Sequence, residues 1–251
     1  MSASSITTRL RSAAPWLGLA ALVVLIGLLA APGAGGGALD PNGTSPQGAK
    51  ALVLLLREYG AQVAITADAP PAGGGGTAVV LTDQLDDARR AAVVSGVRAG
   101  GRLVVADPGS ALQLGLPQRP GNGLTSTDLH PMGPCTIAGL ETIRALDVGT
   151  SDLLTPRPGT SSAACFRIRS GKRDAVFLLS ARFGAGTVVG LGGAGVWTNQ
   201  RLGHQDNAAL AVDLLAPTPG AAVTVLAPSR AGSGQRSGLQ LVSPRFREAL
   251  V

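Results

Sequence analysis

Residues 187–191 form an apolar run of strand length between glycines, and the glycines at 192, 193 and 195 then allow a sharp turn of the backbone. Asp206 or Asn207 opens a helix whose apolar positions continue to residue 215. The chain is organised around this strand, loop and helix. Upstream, Leu52, Leu55, Leu56 and Tyr59 recur at helical spacing opposite Lys50, Arg57 and Glu58, with Ser45 and Pro46 as start signals and Gly60 as the stop. Strands follow at 62–66 and 77–82, separated by a loop at 68–76 that holds Pro-Pro and four consecutive glycines. Residues 85–98 form a second helix, with Leu85, Ala88, Ala92 and Val93 inward and Asp86, Asp87, Arg89 and Arg90 outward. A strand at 103–106 completes a parallel strand-helix-strand crossover. The Gly- and Pro-rich stretch 109–134 predicts an excursion over the surface. Strands at 145–148, 165–168, 175–179 and 187–191 then predict antiparallel additions, with a hairpin turn at Gly171-Lys172. A last strand falls at 222–226. The pattern predicts an α/β fold, its sheet mostly parallel.

Before this domain, residues 12–34 read as one transmembrane helix with Trp16 at an interface and Arg9 and Arg11 on the cytoplasmic side. Residues 1–11 are then cytoplasmic, 35–47 a linker, 48–228 an extracytoplasmic domain, and 229–251 a disordered polar tail. The rival reading of the same apolar segment is a cleaved signal peptide, against which stand Pro32 and the lack of a clean small-x-small cleavage site. With the anchor, the chain is a single-pass cell-membrane protein whose residues 12–34 contact the lipid bilayer.

The 251 residues suffice for one domain of ordinary size, and 36 glycines with 3% aromatics imply a core of Ala, Val and Leu on closely approaching backbones. The net charge of +6 resides almost wholly in dispersed arginines, with no basic stripe bearing aromatics, so nucleic acid is not expected as a partner.

In open α/β sheets ligands bind outside the carboxyl ends of the strands. That places Asp83, Asp107, Trp197, Asn199, Arg201, His204, Asp206 and Asn207 at a candidate ligand-binding edge. Turn and capping chemistry is the competing account of Asp83 and Asp107. No catalytic constellation, metal motif or cofactor fingerprint accompanies these residues; Gly73 to Gly76 lacks the Lys-Ser or Lys-Thr of a phosphate loop. The glycines after the 187–191 strand offer N–H groups to an anion at most. Cys135 and Cys165, on the extracytoplasmic side, are expected to form a disulfide. A nucleophilic Cys135 is the alternative, since Gly133-Pro134-Cys135-Thr136-Ile137 resembles a cysteine elbow, although the elbow's glycine is replaced by Ile137.

Asp40-Pro41, Ser45-Pro46-x-Gly48-Ala49-x-Ala51-Leu52, Gly101-Arg102-Leu103-Val104 with Asp107-Pro108, the two cysteines, Thr198-Asn199 and Asp206-Asn207-Ala208-Ala209-Leu210-Ala211 together resemble an actinobacterial, membrane-anchored family of unknown function, DUF4350-like. The resemblance implies a flavodoxin-like fold, similar to class I glutamine amidotransferases but without their catalysis. It also implies an accessory or binding role in the cell envelope, alongside a MoxR-type AAA ATPase system and other membrane or envelope proteins. An envelope hydrolase or amidotransferase-like enzyme using His204 with Asp83, Asp107 or Asp206 is the alternative.

Overall fold

The computed structural model describes residues 37–68, 75–116, 120–156, 162–170 and 173–227. The expected membrane helix at 12–34, the tail at 229–251 and the Gly171-Lys172 turn lie outside the described residues. Among the described residues no helix is long and apolar enough to cross a membrane.

The elements are α1 (Lys50–Glu58), β1 (Gln62–Thr66), β2 (Thr77–Val80), α2 (Asp87–Arg98), β3 (Arg102–Val105), β4 (Pro120–Ser126), β5 (Gly149–Leu154), β6 (Ala163–Ser170), β7 (Arg173–Phe183), β8 (Gly186–Leu191), α3 (Asn207–Leu215) and β9 (Ala222–Leu226), with a short 3₁₀ turn at Ala194–Trp197 between β8 and α3. The strands form one mixed sheet in the order β1-β9-β2-β3-β8-β7-β5-β4, with β6 on the other flank of β7. Strands β1, β9, β2, β3 and β8 are parallel. The additions β7, β6, β5 and β4 are antiparallel. This is the expected α/β architecture.

Alternation along the parallel strands divides the core in two. Val79, Leu81, Val104, Val189, Leu191, Val223 and Val225 face α1 and α3, whose Leu52, Leu56, Leu210 and Leu214 cover them. Ala78, Val80, Leu103, Val105 and Val188 face the opposite side, where Val93 and Val97 of α2 pack. A three-layer arrangement follows from the period-2 pattern.

Several boundaries differ from expectation. Helix α1 starts at Lys50, and Ser45 lies in the preceding turn, because residues 40–48 coil on themselves through Gly43 N–H to Asp40 C=O and Gly48 N–H to Ser45 C=O. Tyr59 is 61% exposed, since the helix ends at Glu58 and Gly60 follows with positive φ; Val53 is buried instead. In α2, Ala88 and Ala92 are exposed and Val97 completes the buried face with Val93. The predicted strand at 145–148 is a single bridge, Leu146 with Leu129, and the strand proper begins at Gly149. Most of the predicted excursion at 109–134 is irregular, but β4 arises within it and pairs with β5.

Candidate functional site

Where β2, β3 and β8 end, the sheet opens into a cleft of about 460 Å³. Leu81 and Thr82 follow β2, Ala106, Asp107 and Pro108 follow β3, and Gly192 to Gly195 follow β8; Thr150 to Asp152 of β5 and Leu39 with Gln47 complete the walls. The cleft thus lies at the edge the sequence pointed to. The glycines have a packing reason: a Cβ at Gly192 would collide with the Asp152 carbonyl, and one at Gly195 would come within 2.7 Å of the Val148 carbonyl. They let β5 lie against the end of β8.

Asp83 and Asp107 are brought together, as turn formers. Asp107 accepts the Asp83 N–H (2.9 Å) and the Gly109 N–H (3.0 Å). The Asp83 carboxylate, nearly buried, accepts from Ser110 Oγ (2.6 Å), Arg90 Nε (3.2 Å) and the Leu85 N–H (3.3 Å). The hydrogen bond from Arg90 to Asp83 raises the arginine's pKa above its ordinary value. Asp83 is therefore consumed by local structure, while Asp107 still reaches the cleft.

In the loop from Trp197 to Asn207, Thr198 lines the cleft, while the predicted site residues are engaged elsewhere. Trp197 is fully buried in the core, its indole N–H without an acceptor. Asn199 caps α1 from a distance: its Oδ1 accepts the Ala51 N–H (2.8 Å), and its Nδ2 donates to the carbonyls of Gly43 (2.8 Å) and Ser45 (2.7 Å). Asp206 and Asn207 grip the segment before β5. One Asp206 carboxylate oxygen accepts the N–H groups of Arg144 (2.6 Å) and Ala145 (3.0 Å). Asn207, fully buried, accepts the Asp147 N–H (3.2 Å) and donates to the carbonyls of Asp147 and Arg201 (both 2.9 Å).

Asp147 was missing from the sequence-based candidates. Its carboxylate, 5% exposed, meets His204 Nδ1 at 2.7 Å and Arg201 Nε at 3.4 Å, and accepts the Gly149 N–H at 3.2 Å. His204 remains 60% exposed. A buried carboxylate thus orients an accessible imidazole, and the partner of His204 is Asp147 rather than Asp83, Asp107 or Asp206. The signal was a lone acid within the apolar run Ala145-Leu146-Asp147-Val148. Among the described residues no group of three or more His, Cys, Asp or Glu is placed to hold a metal ion.

Cys135 and Cys165 form the expected disulfide, with their Cα atoms 4.4 Å apart. It joins the irregular segment ahead of β5 to β6. A family model, Domain of unknown function (DUF4350), matches residues 41–215. The chain belongs to the DUF4350 family. A search of curated proteins finds no match. Within this DUF4350 domain, Asp206-Asn207 is the clamp on residues 144–147, Asp107-Pro108 borders the cleft, and Thr198-Asn199 joins the cleft wall to the cap of α1.

Proposed function

We propose that this DUF4350 domain is a non-catalytic accessory or binding module of the bacterial cell envelope. It is anchored by residues 12–34 with the domain outside the cytoplasm, and it works with a MoxR-type AAA ATPase system. The observation that carries this reading is the cleft itself: about 460 Å³ at the carboxyl ends of the strands, walled by Thr82, Asp107, Thr150, Ser151 and Thr198. Three of its four hydroxyls are held by backbone or by a neighbouring threonine, Ser151 Oγ to the Val148 carbonyl (2.8 Å), Thr198 Oγ1 to the Gly195 carbonyl (2.9 Å) and Thr150 to Thr125 (3.3 Å). None is paired with a histidine base, the arrangement a nucleophilic hydroxyl needs. The strand order supports kinship with flavodoxin-like sheets in permuted form. Counting the parallel strands from β9 instead of β1 turns β1-β9-β2-β3-β8 into the order 2-1-3-4-5.

One observation favours the enzyme reading. The Asp147–His204 pair is a base with its orienting carboxylate, open to solvent. Two variants of the full-length chain separate the readings. Thr150→Trp fills the cleft and His204→Ala removes the base. The binding module loses co-purification with cross-linked envelope proteins through Thr150→Trp and keeps it through His204→Ala. Loss of turnover of an envelope substrate through His204→Ala, with association intact, overturns the non-catalytic reading.

A further inference from the structure

The geometry points to a small organic ammonium ion as the class of ligand this cleft takes, an inference that rests on the cleft being a binding site. Asp107 and Asp152 line it. Asp152 of β5 is half-buried and, among the described residues, has no side-chain hydrogen bond or ion pair; the Asp107 carboxylate accepts only backbone N–H groups. Asp83, just behind, shows the contrast, because Arg90 neutralises it. No lysine, arginine or histidine lies among the described residues lining the cleft. A cation arriving from solution finds both carboxylates without a competing cationic side chain among the described lining residues. Leu39, Leu81, Ala106, Pro108 and Ala194 also line the cleft and offer apolar surface to the body of the ligand. An anion finds two like charges here, and a planar sugar face finds no aromatic ring to stack on.

The test titrates the full-length chain in detergent with benzylammonium and with benzyl alcohol, its uncharged counterpart, by saturation-transfer NMR. The expected result is one saturable site for benzylammonium at millimolar concentrations, with the alcohol weaker by about tenfold or more. Asp152→Asn, which keeps the shape, weakens benzylammonium by about the same factor and leaves the alcohol unchanged. Asp68→Asn, at an exposed acid away from the cleft, changes neither, and Thr150→Trp abolishes both. Equal binding of the two probes, or benzylammonium binding indifferent to Asp152→Asn but lost in Thr150→Trp, overturns the charge assignment and leaves the cleft reading standing. Binding indifferent to Thr150→Trp, or no saturable binding of either probe, overturns both.

Discussion

Asn207 makes the strongest claim on any single position. Its buried amide satisfies one N–H and two carbonyls of residues 147 and 201, and its two bonds to residue 147 are buried. Asn207→Ala leaves them unpaired, and a loss of about 2–4 kcal/mol is expected in urea unfolding. A loss below about 0.5 kcal/mol would show that the clamp is ornamental. His130 offers a test through pH. Its two ring nitrogens face the Arg144 carbonyl and the Asp128 carboxylate, each at 3.1 Å, so only the imidazolium donates to both. First the carbonyl and then the carboxylate raise its pKa above the ordinary histidine value. The sign follows: any stability it lends is complete below the unfolded-state pKa and fades as pH rises through the higher folded-state value. An NMR titration should show a midpoint above that of an unstructured histidine, moving down in Asp128→Asn. Asp83 and Asp107 were legible as turn formers, each accepting the N–H two residues on, whereas the bonds of Asp206 to Arg144 and Ala145, 62 and 61 positions away, were not. Asp147 was not, because its partners His204 and Asn207 lie 57 and 60 positions away.

Elements with clean periodicity were read with their types right: α1, α2, α3 and the five parallel strands, of which β1 and β9 match to the residue while β2, β3 and β8 have shifted ends. Strands β4 (PGNGLTS) and β5 (GTSDLL) were missed in whole or in part, because Gly, Ser and Thr carry no alternation. Their identity comes from pairing with each other and from the glycines after β8, which are tertiary facts. The irregular stretch ahead of β5 has little regular hydrogen bonding of its own; buried Ile137, Leu140 and Ile143, the Thr136–Ala164 hydrogen bonds, the Asp206-Asn207 clamp and Cys135–Cys165 hold it in place. The disulfide closes a loop with a sequence separation of 30. In the chain-entropy account that contributes about 3–4 kcal/mol. Cys135→Ser with Cys165→Ser, or reductant added to the unmodified chain, should lower urea stability by about that amount. Equal stability with and without reductant would leave the anchoring of this segment to its non-covalent contacts.

At the scale of the molecule, fold, cleft and disulfide bear on where the domain works. The fold places the disulfide on the antiparallel half of the sheet, away from α1, with Cys165 fully buried and Cys135 half-buried. Cys135 is therefore the reporter, and a stable disulfide suits an oxidising compartment. The sequence reading puts one apolar span ahead of the domain with arginines on its cytoplasmic side, which predicts the same side of the membrane independently. A membrane-impermeant maleimide applied to intact cells tests both at once. Labelling of Cys135 only after a reductant has been applied is the expected outcome, and it joins an external domain to a closed disulfide. Labelling without reductant means a free, accessible thiol at Cys135, which removes the covalent tie ahead of β5 and moves the enzyme reading ahead of the binding module. Absence of labelling in intact, reduced cells, with labelling restored once the membrane is permeabilised, puts the domain inside and overturns the anchor's orientation.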